Sequence, residues 1–473
     1  MSEKKYHFIG VGGAGMSVVA QLFFARGWEL TGSDKNDSTN LKKLRELGIK
    51  CWVGTRPQLI TPDTTIVYSS AIHPDNPEFA AAKAVGCKVM HRSQALALAA
   101  ADRKFVAVAG AHGKTTTSGM LAQTLSQLGA DPSFAVGGVV RHYQTGAHLG
   151  KGDYFIAEAD ESDASFLNYC PQLAIITNIE PDHLDNYGSP EKFEQAFFDF
   201  ANCVKPGGTV ILCTDDPGCC RLIERLRSPG AATENKKNSL RILGYGIENP
   251  PADLDLFCSV KPQGENPGSV SADYIVGEET TAVRLPIPGR HNLLNAAAVF
   301  LAARVAGFSN VNIAAVLGEF SGTARRFETK GEIGRIRVID DYAHHPTEVQ
   351  ALMRQAREAA AGGRVLALFQ PHLYSRTRNF ASRFASALDL ADQVIVCDIY
   401  GAREDPIPGV TSRIITEKMR RGSYLGDRDE AARVLAKAAQ PGDLILTVGA
   451  GDVTAAGAVI LQALAVRVSR DHP

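Results

Sequence analysis

Net charge is the first thing this chain lacks. Fifty lysines and arginines stand against fifty-one aspartates and glutamates, a formal charge of −1 over 473 residues. Nothing in that balance argues for a nucleic acid or an anionic membrane surface as partner. Long apolar runs are missing too: none approaches the roughly 18–20 residues of a membrane-crossing helix. The start, Met1-Ser2-Glu3-Lys4-Lys5, leads straight into a strand-like segment and shows no secretory leader. Nine cysteines are scattered without a Cys-x-x-Cys pair, and adjacent Cys219 and Cys220 are poorly placed to bridge each other. That usage excludes a disulfide framework or zinc site and points to free thiols in the cytoplasm. Internal repeats and low-complexity tracts are absent. The length exceeds one ordinary core, so two to four domains are expected.

What the chain does have is a succession of apolar runs, each followed by a glycine-rich or acidic loop. The central one is Phe105-Val106-Ala107-Val108, then Ala109-Gly110-Ala111-His112-Gly113-Lys114-Thr115-Thr116-Thr117, then a helix-compatible run from Ser118 to Leu128. A strand, a glycine turn and a helix N-terminus form an anion cradle: backbone N–H groups and the helix dipole face a phosphate and the lysine adds charge. The hydroxyl after the lysine suits Mg²⁺. Val108 stands where the usual six-residue spacing wants glycine, so this is a shortened Gly-x-x-Gly-Lys-Thr-Thr form.

The N-terminal segment carries Gly10, Gly12 and Gly15 in G-x-G-x-x-G spacing after a short strand, with Asp34 about 20 positions on. This is a Rossmann-type βαβ start, and the pattern alone leaves NAD, FAD and a nucleotide sugar open. A further strand, 65–70, ends in Ala71-Ile72-His73-Pro74, on the edge where open α/β sheets bind ligands. Past the phosphate loop, one strand ends in Glu158-Ala159-Asp160-Glu161-Ser162-Asp163 and another in Asn178 through His183 and Asp185. Hard oxygen ligands at such strand ends suit Mg²⁺, and Glu158 is the best placed. Residues 228–284, rich in proline, asparagine and glycine, read as surface hairpins. His291 and Asn295 lie four apart at the opening of an alanine-rich helix. A last group of strands ends in Asp340-Asp341-Tyr342-Ala343-His344-His345, in Gln370-Pro371-His372 through Arg376, and in Val448-Gly449-Ala450-Gly451-Asp452, a third doubly wound α/β segment.

Taken in order, the motifs at 10–17, 110–117, 158–166, 178–185, 289–295, 325–327, 340–346 and 370–378 resemble the Mur ligase family of peptidoglycan synthesis over essentially the whole chain. The resemblance implies three α/β domains: a Rossmann-like UDP-binding domain at 1–102, a phosphate-loop ATP domain at 103–323 and a Rossmann-like ligase domain at 324–473. It implies an ATP-dependent ligase that adds L-alanine to the lactyl carboxylate of UDP-N-acetylmuramate. The run His7-Phe8-Ile9-Gly10-Val11-Gly12-Gly13-Ala14-Gly15-Met16-Ser17 and His112 match the alanine-adding type, with Ala111 in place of a threonine.

Carried over residue by residue, Gly12, Gly13, Ala14, Gly15, Met16 and Ser17 would hold the UDP diphosphate, with Asp34, Ser70, Ala71 and His73 nearby. Gly110, Ala111, His112, Gly113, Lys114, Thr115 and Thr116 would hold ATP, with His291 and Asn295 on the adenine side and Arg326 and Asp341 reaching from the third domain. Thr115, Glu158 and His183 would bind Mg²⁺. Lys114, His344, His372 and Arg376 would serve the reaction. The family's carbamylated lysine aligns with Phe197, a departure that the alanine-adding type shares. A murein-tripeptide recycling ligase and a nicotinamide-dependent oxidoreductase using 10–15 are the rival readings, together with a phosphate-loop module lacking catalysis. Domain closure is expected, because the ATP loop, the UDP loop and the third-domain histidines lie on separate units and must meet; the sequence leaves the oligomeric state open between monomer and homodimer.

Overall fold

The computed structural model describes residues 5–228, 240–247, 253–266, 268–402 and 404–471. They fall into two compact units. The first runs to Pro262 and adds Ala272–Val283 and Leu294–Phe320; the second comprises Gln263–Ser271, Arg284–Leu293 and the chain from Ser321 onward.

The first unit holds one sheet entirely and most of a second, larger one. Strands β1 (Lys5–Ile9), β2 (Glu29–Asp34), β3 (Lys50–Val53), β4 (Thr64–Tyr68) and β5 (Lys88–His91) form a sheet of order β3-β2-β1-β4-β5, parallel throughout. The strand order reverses beside β1, so the glycine turn that follows it opens at a topological switch point. The larger sheet contains β6 (Lys104–Ala109), β7 (Ser133–Val140), β8 (Thr145–His148), β9 (Tyr154–Glu158), β10 (Leu173–Ile176), β11 (Thr209–Cys213), β12 (Arg241–Gly246), β13 (Leu256–Asn266), β14 (Ser269–Val276) and β15 (Glu279–Leu285). Their order is β15-β14-β13-β12-β11-β10-β6-β9-β7-β8. β6 lies between β10 and β9 and is buried from Phe105 to Ala109, which is why it reads as an unbroken apolar run instead of an alternating one.

One hydrophobic core runs through both sheets, from Phe8, Phe23 and Leu96 to Phe105, Phe166 and Phe200. The joint is also polar: Arg92 reaches Asp160 at 2.8 Å and Asn168 donates to Ser93 at 2.8 Å. The N-terminal and central segments therefore fold as one body around a shared core.

One expectation fails here. Residues 240–245 do not make a surface hairpin; β12 pairs in parallel with β11, and Ile242, Leu243 and Tyr245 are buried. Flanking proline and asparagine disguised a short core strand. Of the same stretch, residues 229–239, 248–252 and 267 lie outside the described residues.

In the second unit β16 (Glu328–Ile333), β17 (Ile336–Asp341), β18 (Val365–Phe369), β19 (Gln393–Val396), β20 (Gly422–Tyr424) and β21 (Leu444–Val448) form a sheet of order β16-β17-β21-β18-β19-β20. Only the β16–β17 pair is antiparallel. Helices cover both faces: Val349, Leu352, Met353, Phe384 and Leu388 on one side, Leu435, Ile460 and Leu464 on the other. The stretch Asp452–Ser469 has the length and mean hydropathy, 1.4, of a membrane span. Its stripe of Ala456, Ile460 and Leu464, four apart, is buried against Ile336, Val338 and Ile445, as a helix of a packed core requires.

Candidate active site

The turn after β6 is built for close approach. Gly110 has φ +130°, and a Cβ there would lie 2.1 Å from Thr177 Oγ1, so no side chain fits. The helix that follows, Lys114–Gln127, begins four residues earlier than the apolar pattern suggested, which puts Lys114, Thr115, Thr116 and Thr117 in its first turn. The first intrahelical bond runs from Thr117 N to the Gly113 carbonyl at 2.9 Å, so the N–H groups of Lys114, Thr115 and Thr116 precede it and can face an anion. The loop is fixed from β10: Thr177 Oγ1 donates to the His112 carbonyl at 2.5 Å, and Asn178 accepts from His112 N at 2.9 Å. The His112 ring meets Glu180 at 3.1 Å. Asn295 accepts from Thr117 Oγ1 at 3.3 Å and closes over Gly113, so in this structure it buttresses the loop.

Lys114 donates to the Gly110 carbonyl at 2.5 Å, the Ala111 carbonyl at 3.3 Å and Glu161 Oε1 at 2.8 Å. Burial opposes charge on both members of this pair. At Lys114 the carboxylates of Glu161, Asp160 and Glu158 outweigh it and the ammonium is held more firmly than usual. At Glu161 burial outweighs the lysine, and the carboxyl titrates above its ordinary range.

Glu158 ends β9 in register with Val108 of β6. Its Oε1 accepts from Gly137 N at 2.8 Å and Ser118 Oγ at 3.4 Å. His183 sits at φ +52°, its Nε2 3.6 Å from Asp182 Oδ2. The donors thus offered beside the first turn, the Thr115 hydroxyl and the free edge of the Glu158 carboxylate, are hard oxygens of the kind Mg²⁺ takes, and they fit that ion. Phe197 is buried among Phe166 and Phe193, so the position of the family's carbamylated lysine belongs to the core here.

The N-terminal loop is tied differently. Gly10 N and Val11 N both donate to the Ser33 carbonyl, and Gly12 N donates to Asp34 Oδ2 at 2.8 Å. Asn40 and Ser38 both donate to the Gly12 carbonyl. The helix Ala14–Ala25 then starts at the glycines, with Met16 and Ser17 buried. Ser70, Ala71 and His73 are exposed in the loop after β4. Ser70 donates to Asp163 and lies 3.2 Å from His91 Nε2.

Two residues here escaped the sequence reading. His91 ends β5 and is 3.8 Å from Asp163. Arg92, the next residue, holds Asp160 at 2.8 Å, and its guanidinium packs so closely on Gly15 that a Cβ there would be 2.4 Å away. Burial disfavours the Asp160 carboxylate, but Arg92 outweighs it and keeps the group well below the usual range. Their position at a strand's carboxyl end, beside the Ser70 loop, was the available signal. The acidic run 158–163 therefore touches the phosphate loop through Glu161 and the loop after β4 through Asp163, while Asp160 holds the arginine that packs on Gly15.

In the second unit Asp341 ends β17 and accepts from Phe327 N at 2.7 Å and Ala343 N at 2.8 Å. Burial pushes its carboxyl up to about 6. His344 lies 3.3 Å from Glu348 and meets His372 edge to face, with ring centroids 5.9 Å apart. His372 stacks on Tyr400 and is 3.4 Å from Arg376 Nη1. Arg326 sits over Tyr342 and 3.9 Å from Glu348. His291 is pushed down to about 4, first by burial and then by Arg326. His344, His372 and Arg376 thus form one cluster, with Arg326 joined to it through Glu348.

Three family descriptions match the chain in succession: Mur ligase family, catalytic domain, over 5–104; Mur ligase middle domain over 108–303; and Mur ligase, glutamate ligase domain, over 325–451. The chain belongs to the Mur ligase family and has its architecture of N-terminal, middle and C-terminal α/β domains. It is 47% identical to the UDP-N-acetylmuramate–L-alanine ligase of Renibacterium salmoninarum, covering 98% of this chain and 96% of that one. It is 48% identical to the protein of the same name in Paenarthrobacter aurescens, covering 97% of each. Among solved structures, UDP-N-acetylmuramate-alanine ligase MurC of Thermotoga maritima superposes with a TM-score of 0.77 at 26% identity, over 98% of this chain and 99% of that one. A murein peptide ligase from Psychrobacter arcticus, at 23% identity and TM-score 0.71, shares the fold.

Proposed function

We infer that this protein is an ATP-dependent ligase joining L-alanine to the lactyl carboxylate of UDP-N-acetylmuramate, releasing ADP and phosphate in cytoplasmic peptidoglycan precursor synthesis. The observation that carries the reading is identity of 47–48% over nearly the whole length to relatives that bear this activity in their names.

The chemistry follows from what a carboxylate lacks. It is a poor electrophile, so the γ-phosphoryl group of ATP is transferred to it and the alanine amine then attacks the acyl phosphate, expelling phosphate. Charge must be neutralised around the phosphoryl group in both steps. Lys114 and the first-turn amides of the Lys114–Gln127 helix supply this at the β- and γ-phosphates. Thr115, Glu158 and His183 would hold Mg²⁺, which when bound draws charge from the phosphate oxygens. Residues 12–17 take the UDP diphosphate, with Asp34 and the loop carrying Ser70, Ala71 and His73 beside it. His291, Asn295, Arg326 and Asp341 serve the nucleotide, and His344, His372 and Arg376 serve the amine and carboxylate.

The test is ADP formation with UDP-N-acetylmuramate or another UDP-sugar, against alanine, glycine and serine. Turnover that needs both UDP-N-acetylmuramate and alanine supports the reading. ADP formed only with a preformed peptide would favour the recycling type, and ADP formed with neither substrate would refute the ligase assignment.

A further inference from the structure

The ammonium of Lys114 has three N–H donors, and in this structure all three have acceptors: the carbonyls of Gly110 and Ala111 and the carboxylate of Glu161. A phosphate that binds Lys114 must therefore take a donor from one of them. The two carbonyls belong to the turn that wraps the ammonium, whereas Glu161 reaches in from the end of another strand. Its backbone is anchored away from the lysine: Tyr187 Oη donates to the Glu161 carbonyl at 2.5 Å, and Asn186 donates to the Ser162 carbonyl at 2.7 Å. The Glu161 side chain is 2% exposed, and its second oxygen, Oε2, is buried with no hydrogen-bond partner among the described residues. Losing the lysine would leave a buried carboxylate uncompensated, which is costly.

We infer that Glu161 is a positioning residue that holds Lys114 in a nucleotide-excluding arrangement and so sets the threshold for nucleotide binding. This rests on the reading that a nucleotide occupies the loop at 110–117. A protein whose binding-competent form is only a fraction of the whole shows an affinity reduced by that fraction. Removing the charge at 161 raises the fraction in which the lysine is available, so nucleotide binding tightens. The effect must act through Lys114 and disappear when the lysine is absent.

The experiment is a calorimetric titration of ADP, with magnesium present, into the full-length wild type, Glu161→Gln, Lys114→Ala and the double variant. Glu161→Gln should tighten ADP binding by about 5- to 150-fold, the span usual for coupled groups. In the Lys114→Ala background the same substitution should change nothing. Glu161→Asp, which keeps the charge but draws it back, should fall between wild type and Glu161→Gln; it also serves if Glu161→Gln does not fold. Unchanged or weaker binding by folded Glu161 variants would overturn the inference. So would an equal gain without the lysine, because Glu161 would then act by direct repulsion of the phosphates. Wild type that binds no ADP would instead overturn the assignment of the loop itself, and the two failures are separable.

Discussion

The loop at 10–17 and the loop at 110–113 both leave a parallel strand and both open a helix, yet their charges are settled in opposite ways. In the first a carboxylate, Asp34, accepts from the loop's own amide at Gly12, and the cation packed on Gly15, Arg92, is lent by a different strand end and paired with Asp160. In the second the cation, Lys114, is part of the loop and its counter-charge, Glu161, comes from outside. Both borrowed partners trace to the run 158–163 or are paired with it. Glycine spacing specifies a backbone cradle in either case; the electrostatics are written elsewhere in the chain. In one loop the cation is borrowed and held from outside by Asp160; in the other it belongs to the loop and is held from outside by Glu161.

The largest effect that would sharpen this contrast is on turnover. Lys114→Ala should lower kcat by a thousandfold or more (about 4 kcal/mol of lost phosphoryl-group stabilisation), measured as ADP release with saturating substrates. Retention of most of the activity would mean that the lysine is only structural. Next, Asp34→Ala removes a charge-assisted hydrogen bond at Gly12, of the order of 1.5–3 kcal/mol. It should weaken UDP-N-acetylmuramate binding about tenfold or more while ADP binding holds; an equal loss for ADP would dissolve the distinction between the loops.

The smallest effects lie in the second unit and serve as a control remote in sequence from both glycine loops. Asp341 is pushed up from 3.8 to about 6, so it favours the folded state below pH 4 and that contribution is lost as pH rises towards 6. His291 is pushed down from 6.5 to about 4, so its contribution is present above pH 6.5 and lost as pH falls towards 4. Melting temperatures taken across pH 4–6.5 should therefore change slope in opposite senses for Asp341→Asn and His291→Gln. Slopes that move in the same sense would contradict the assigned causes.

The strand-and-loop frame was legible because parallel strands buried on both faces leave unbroken apolar runs such as 105–108 and 365–369, and the glycines punctuate their ends. The strand Arg241–Gly246 was hidden for the converse reason, a core strand six residues long amid turn-forming neighbours. At the site, Gly110, Lys114 and Glu158 could be read from position alone. His91 and Arg92 offered only their place at a strand's carboxyl end, because a histidine and an arginine at the start of a helix have no periodicity; their importance comes from Asp160 and Asp163, some 70 residues away. Only the folded chain shows that Asn295 lies against Gly113 and Thr117, or that Tyr400 stacks on His372.

The direct test of two separately wired loops is a binding matrix: ADP and UDP-N-acetylmuramate titrated by calorimetry into wild type, Lys114→Ala and Asp34→Ala. The account predicts a crossover, with Lys114→Ala binding ADP measurably but more weakly and keeping the UDP-sugar, and Asp34→Ala weakening the UDP-sugar and keeping ADP. If either variant loses both ligands equally while its melting temperature stays at the wild-type value, the division of labour between the loops is contradicted.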